Sequence, residues 1–343
     1  MSRAVLAAAL ALVMALPSSC RQREAAPGRF TVEVMNGHTP VKDQGRSESC
    51  WAYAMLSAIE TEHIMRGDSV HLSVDYAIRM RMADEFRRCY LGGGAGGVAT
   101  RGTAMTLVAT IMRHGIVPYD AYSRHSVPSA AVLARKLSRT AAMAARRRMG
   151  LERSDGLLKE LLDESLGHTP PAVHMYGATY SPQEFARSVC APGEYVALTS
   201  FTHHPFYSDF ALEVPDNVER SLFHNVPLDT LVSRMERAVR AGRGVCWEGD
   251  VSEPGFSFAR GVARMPQGAA ATQADRQRAF ERFDTTDDHC MAVVGLARDA
   301  RGGLFFIMKN SWGTANPYGG MVYVSENYVR MKTIAVVMPG FEF

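Results

Sequence analysis

From residue 31 the chain runs Thr31, Val32, Glu33, Val34, an alternation of period two that predicts a strand with one face buried. The period then changes. Across residues 50–66, Trp51, Met55, Ala58 and Ile59 fall on one face of a 3.6-residue repeat, and Gly67 stands where a C-terminal glycine cap belongs. A helix is predicted there. The glycine-rich run Gly92 to Gly97 reads as a flexible loop, and a second helix is expected from about Thr103 to His114, closed by Gly115. Ser154 is placed to cap a short helix carrying Leu157, Leu158, Leu161 and Leu162, ended by Gly167 and Pro170-Pro171. Ser181-Pro182-Gln183-Glu184 has the form of a capping box with proline at the first helical position. Pro227 to Ala241 gives a further helix, stopped by Gly242 and followed by the strand-like Val245-Cys246-Trp247.

The rest is mainly β. Cys290 to Ala297 and Leu304 to Asn310 are strand-like runs joined by a turn-rich hexapeptide, residues 298–303. Met321 to Val324 and Lys332 to Met338 add two more. No internal repeat is present. Helices come first and strands later, without a βαβ alternation, so the expected class is α+β.

The N-terminus has a different character. A short basic start, Met1-Ser2-Arg3, precedes thirteen uninterrupted apolar residues, Ala4 to Leu16, and Pro17-Ser18-Ser19 lead to Cys20. The run is short for a bilayer span and reads as a signal peptide over residues 1–19. Cysteine after small residues suggests lipidation at Cys20, with plain export and a buried N-terminal helix as the alternatives. A polar tether follows over 20–31, and a folded domain is expected over 32–343. From about 125 to 230 that domain carries a mostly helical block, and its first part is enriched in Ala, Arg and Leu.

Apolar residues make up 47% of the chain and charged ones 21%, ordinary values for a globular protein, and a net charge of +3 does not imply a nucleic-acid partner. The six cysteines are scattered without a CxxC pair, which argues against a disulfide framework or a zinc site. Cys89, Cys190, Cys246 and Cys290 are expected as core thiols. His203-His204 would need a third ligand to hold a metal, and none is evident; no metal or organic cofactor is expected. Arg135, Lys136, Arg139, Arg146, Arg147, Arg148 and Arg153 read as a solvated helix face, with a homo-oligomer contact second.

The chemistry concentrates in three segments. In Gln44-Gly45-Arg46-Ser47-Glu48-Ser49-Cys50-Trp51 a cysteine stands at the first turn of a helix. A helix N-terminus carries roughly half a positive charge and unpaired N–H groups, which favour a thiolate and can hold an oxyanion. The base and its orienting group follow from the late hairpin. A turn centred near residue 300 sets His289 opposite Asn310, and cross-strand Cβ atoms approach to about 5 Å.

These segments resemble the papain-like cysteine peptidases. Gln44, Cys50, Trp51 and Ala52 match the family's active-site helix, and His289 at a strand start with Asn310-Ser311-Trp312-Gly313 matches its later segments. The resemblance implies a two-lobe fold, a helical lobe with Cys50 and a β-barrel-like lobe with His289 and Asn310. It implies Cys50 as nucleophile, His289 as base, Asn310 as its orienter, Gln44 as oxyanion donor and Trp312 as a shield over the His–Asn bond. Gly96-Gly97 look like the glycine pair that binds the substrate main chain. Two positions depart from the family. Ser47 replaces a disulfide-bonded cysteine, and Glu48 replaces a glycine beside the nucleophile.

His289 lies 239 residues after Cys50, roughly 100 more than the usual 130–150 of papain-type enzymes. That excess, with Thr202-His203-His204-Pro205-Phe206 and Thr286-Asp287-Asp288-His289, looks like the bleomycin hydrolase/aminopeptidase C branch, especially its bacterial members. That branch implies an aminopeptidase whose C-terminal tail lies in the cleft. Here only Pro339 to Phe343 are expected beyond the last strand, which is short for that purpose. Glu48, Asp287 or Asp250 would then bind a substrate's α-ammonium, with Glu48 favoured by its place beside Cys50. The alternatives are an endopeptidase of the same fold, a cell-wall amidopeptidase or transglutaminase-like enzyme, and a catalytically impaired peptide-binding relative. The expected partners are peptide substrates, and the membrane through Cys20 if it is acylated.

Overall fold

A computed structural model describes residues 30–123, 129–175, 177–266, 268 and 271–340. The expected signal segment, Cys20 and residues 341–343 lie outside these described residues. Strand β1 (Phe30–Met35) leads to helices α1 (Cys50–Met65), α2 (Val74–Leu91), α3 (Ala104–His114), α4 (Ala130–Arg146) and α5 (Leu151–Leu166). A small hairpin, β2 (Val173–Met175) with β3 (Ala178–Tyr180), precedes α6 (Pro182–Val189). Next come β4 (Tyr195–Thr199), β5 (Asp209–Ala211), β6 (Leu222–Asn225), α7 (Leu228–Arg240), β7 (Val245–Gly249), β8 (Phe256–Ser257) and β9 (Val262–Ala263). The chain closes with α8 (Gln273–Glu281), β10 (His289–Asp299), β11 (Leu304–Lys309), β12 (Met321–Ser325), α9 (Glu326–Lys332) and β13 (Thr333–Pro339). The class is the expected α+β.

One mixed sheet runs β5-β6-β4-β13-β7-β10-β11-β12-β9-β8, with β1 added to the far half of β10. Both faces of its centre are covered, and the side-chain alternation shows it. Cys246, Cys290, Ala335 and Val337 turn towards α1 and α3, while Trp247, Met291, Val336 and Met338 turn towards α7. A third apolar cluster joins α2, α4 and α5 through Phe86, Leu133, Leu137, Leu158 and Leu162.

Helix α1 has no exposed side over most of its length. Twelve of its sixteen residues are buried, polar ones included, so it is a core helix rather than the one-faced helix that the periodicity suggested. Its buried charges are partnered. Glu60 accepts from the Leu72 N–H at 2.8 Å and from the Thr39 hydroxyl. Glu62 meets Arg66 at 2.6 Å, Arg243 at 3.0 Å and the Gly244 N–H at 2.9 Å. This packing fixes the position and direction of the helix tip that carries Cys50.

Helix ends were legible where caps were strong. Thr103 and Ser181 both close capping boxes, and Gly67, Gly115 and Gly167 take the left-handed conformation just past their helices. Ser154 is a correction. Helix α5 begins at Leu151 after Gly150, so Ser154 lies buried inside it and caps nothing. Helix α2 was not anticipated, because its charged residues obscure the apolar stripe of Met82, Phe86 and Cys89. The block 125–230 is helical to Leu166, but beyond it, among the described residues, only α6 is a helix before α7, and β4, β5 and β6 join the main sheet. All seven residues of the basic group on α4, α5 and their connection are exposed.

Two glycines test the packing. A Cβ on Gly244 would stand 1.9 Å from the Ala58 carbonyl oxygen, backbone of α1, whereas a Cβ on Gly156 in α5 meets nothing within 4 Å. Gly244→Ala should destabilise the protein by about 1–3 kcal/mol, and Gly156→Ala should stabilise it by about 0.5–1 kcal/mol. Thermal unfolding checks both, and a Gly244→Ala melting temperature at or above wild type would contradict the close approach.

Candidate active site

Cys50 is the first residue of α1 and is half-buried. The helix terminus supplies unpaired N–H groups and a positive field at the sulfur. The Cys50 thiol is held well below its ordinary pKa, chiefly by a hydrogen bond with the Cys290 side chain, against the opposing effect of burial. The His289 hydrogen bond and charge and the Cys290 backbone N–H add to the lowering. The same contact, together with burial, pushes the Cys290 thiol well above its ordinary value. Cys290 therefore stays protonated and donates its S–H to the Cys50 thiolate.

His289 opens β10, is 3% exposed, and pairs with Gly249 of β7. Its Nε2 lies 2.8 Å from Asn310 Oδ1, and the Ser311 N–H donates to that same oxygen at 2.7 Å. An acceptor at this position requires the proton on Nε2, which leaves Nδ1 to face the thiol. The Trp312 ring covers the imidazole with centroids 4.5 Å apart, and Phe256 and Phe258 close on Trp312 edge-first. Water is thereby kept from the His–Asn bond.

The hairpin register differs from expectation. Ala292 pairs with Lys309, and a bulge lies between Val293 and Gly295, so the β10–β11 ladder stops short of both His289 and Asn310. The two residues are not direct cross-strand partners. They meet diagonally beyond the end of the ladder, and the side-chain contact survives because His and Asn are long enough to bridge the offset.

Gln44 is tied into the same structure. Its Oε1 accepts from Ser311 Oγ at 2.6 Å and its backbone N–H donates to the Ser311 carbonyl at 2.8 Å. Its Nε2 donates to the Ser47 carbonyl at 2.7 Å. An amide nitrogen has two hydrogens, so one N–H is left for an oxyanion. The structure thus brings Cys50, His289, Asn310 and Gln44 into one connected group.

The other expected site residues separate. Glu48 is exposed, and its Oε2 accepts from Thr100 Oγ1 at 3.0 Å. Gly96 and Gly97 lie against Cys89 and Ser138 of α4, with the Cys89 thiol near the Gly96 carbonyl. The stretch that contacts the Cys50 helix is instead Thr100–Ala104, where the Thr100 carbonyl accepts from Trp51 Nε1 at 3.0 Å. Asp250 is occupied: its Oδ1 accepts from the Ser252 N–H at 2.9 Å and its Oδ2 from the Thr286 N–H at 3.1 Å. His203 and His204 do have a third group, contrary to expectation. They sit in a turn rather than a strand, so both rings reach Glu213, at 3.2 and 2.6 Å. Gln277 Nε2 contacts His203 Nδ1 at 3.0 Å, which puts the His203 proton on Nε2 towards Glu213 and closes the trio by hydrogen bonds.

Sequence reasoning missed two residues here. Cys290 was read as a core thiol, although its place directly after His289 was a signal. Glu248 was passed over, although an acid between Trp247 and Gly249 in a buried strand is unusual.

Residues 27–190 match the model of the papain family cysteine proteases, a stretch that contains Gln44 and Cys50 but not His289 or Asn310. No curated protein sequence matches the chain. Among solved structures, PepW from Lactobacillus rhamnosis aligns with a TM-score of 0.69 at 16% identity, over 90% of this chain and 81% of that one. The bromelain protease from Ananas comosus aligns with a TM-score of 0.44 at 14% identity, over 89% and 94% respectively.

Removing the Cys290 donor should weaken the thiolate. In Cys290→Ala the Cys50 pKa should rise, so less thiolate is present at a given pH. The pH midpoint for iodoacetamide alkylation of Cys50, followed by mass spectrometry, should move up by about one pH unit. An unchanged or lower midpoint would remove Cys290 from this account.

Proposed function

We propose that this chain, whose residues 27–190 match the papain family cysteine protease model and whose fold is papain-like, is a cysteine peptidase, and that it acts as an aminopeptidase that removes residues from the N-termini of peptides, akin to the bleomycin hydrolase/aminopeptidase C branch. The observation that carries the peptidase chemistry is the meeting of Cys50, His289 and Asn310, with Nε2 of the imidazole fixed at 2.8 Å by the amide. Cys50 thiolate attacks the scissile carbonyl carbon, and the resulting oxyanion is taken up by helix N–H groups and the Gln44 amide. His289 gives its proton to the departing amine, leaving a thioester. Water then loses a proton to His289, attacks the thioester, and the Cys50 thiolate is restored.

The exopeptidase mode is supported by acid next to the nucleophile. Glu48 stands two residues before Cys50, and among the described residues no cation lies within ion-pair distance of its carboxylate. A substrate's α-ammonium is a fitting counterion. The longer separation of Cys50 and His289 supports the same branch. An endopeptidase is the second reading, and the papain fold by itself favours it equally.

We also propose that the protein is exported and held at a membrane by lipid on Cys20, a reading supported by the apolar run Ala4 to Leu16 and the small residues before Cys20. Metabolic labelling with an alkyne fatty acid should mark the wild type and not Cys20→Ser. Equal labelling of both would refute the anchor.

A peptide-library digest with free and acetylated N-termini tests the mode, with Cys50→Ala as the blank. Trimming confined to free termini is expected. Internal cuts in acetylated peptides would establish the endopeptidase. Absence of both turnover and labelling by an epoxysuccinyl inhibitor would favour a peptide-binding module. Glu48→Gln should lower the free-to-blocked ratio of kcat/KM, and a ratio equal to wild type would exclude Glu48 as the ammonium partner.

A further inference from the structure

Carboxylates crowd one flank of Cys50. The β7–β10 ladder sets Glu248 beside Cys290, the thiol in contact with Cys50, and Asp287 lies two residues before His289. The segment Thr100–Ala104 ties the group together. Thr100 Oγ1 donates to Glu48, Arg101 Nε meets Asp216 Oδ1 at 2.9 Å, and Arg101 Nη2 reaches the Asp287 carbonyl at 3.4 Å. The Ala104 N–H, at the start of α3, donates to Glu248 Oε1 at 2.5 Å. Arg101 is ion-paired with Asp216 alone, and its charge also acts on Glu48 and Asp287 from farther away.

Two of their oxygens have no partner. Glu248 Oε2 and Asp287 Oδ2 are sealed from solvent without a hydrogen bond among the described residues, and Glu248 has 0% of its surface exposed. Capping α3 accounts for Glu248 Oε1 and leaves Oε2 unexplained. A buried carboxylate oxygen without a partner disfavours the ionised form, and both groups are shifted accordingly. Burial, then the nearby Cys50 and Asp216, raise Glu248 to about 7. Burial, then Glu248, Asp216 and Cys50, push Asp287 well above the ordinary carboxylate range. The cluster is not closed off, since Asp287 is partly exposed, Arg101 is 47% exposed and Cys50 is half-buried. A hydrophobic lining would serve stability better. What such a cluster lacks is positive charge.

We propose that Glu248 and Asp287, with Asp216 at the rim, form a specificity site beside Cys50 for a cationic group of the substrate. That group is an ammonium or guanidinium, from a free N-terminus or from a lysine or arginine side chain. The reading deepens the peptidase assignment and rests on it. Occupation by a cation lets both carboxylates ionise with a partner in low dielectric, where charge pairs are strong.

The test uses the full chain with paired fluorogenic peptides that differ only in lysine or arginine against norleucine before the scissile bond, each with a free or acetylated N-terminus. Wild type should favour the cationic member of a pair by about tenfold or more in kcat/KM. Glu248→Gln and Asp287→Asn should each reduce that ratio several-fold, with the double variant near unity. Epoxysuccinyl labelling of Cys50 counts the correctly folded fraction in every variant, and Asp216→Asn, at the partly buried rim, gives a third reading. A preference that follows acetylation assigns the α-ammonium, and one that follows lysine assigns the side chain. If norleucine peptides are cleaved through Cys50 with no cationic preference, or if no variant changes the ratio, the cation site is overturned and the peptidase stands. If Cys50 neither labels nor turns over any peptide, both readings fall.

Discussion

The structure depends on one contact between elements, the tip of α1 against the first residues of β10. Everything chemical in the chain gathers there, because that junction presses a sulfur at a helix start against His289 and Cys290 at a strand start. The junction is stiff for a reason found elsewhere. Helix α1 is enclosed on all sides, its buried acids are matched by Lys42, Arg66 and Arg243, and Gly244 lets the β7 segment touch its backbone. A helix half-open to water would leave its end free to shift, and a shift of about 1 Å is enough to cost much of a catalytic rate.

Around that junction two electrostatic tendencies oppose each other. The helix end, the imidazole and the Cys290 S–H favour negative charge on Cys50, while Glu248, Asp216 and Asp287 disfavour it. The balance falls to the thiolate because its donors touch it and the carboxylates act from farther away, all three with raised pKa values. Proximity decides. The departure at Glu48 is tolerable on the same ground, as its side chain points to solvent and Thr100 rather than to the sulfur.

Much of this was legible in the chain, and the limits of legibility follow from range. Capping signals are local, so the ends near Gly67, Thr103, Ser181 and Gly242 could be read directly. Cys50, His289 and Asn310 were readable because each lies in a distinctive short segment. Ser154 failed because a serine within a helix looks the same in sequence as one that starts it. The hairpin register was offset because the turn sets Arg298 opposite Leu304, later than a turn centred near residue 300 would, and the bulge between Val293 and Gly295 recovers only part of that shift. Gly96 and Gly97 were ambiguous among several glycines, and only the Cys89 contact of Gly96 and the packing of Gly97 on Ser138 settle where they lie. Glu213, Glu248 and Cys290 owe their environment to partners on other elements, which no local pattern records.

The link between Gln44 and Ser311 carries a mechanical consequence. It joins the loop that leads into Cys50 to the residue directly after Asn310, through both a side-chain and a main-chain hydrogen bond. The Gln44 amide and the Asn310 support of the imidazole are therefore one rigid piece, although 265 positions of chain lie between Gln44 and Asn310. Any breathing that parts the helical side from the strand side must either break this clasp or carry the whole piece along. Loss of alignment should accordingly be abrupt rather than gradual.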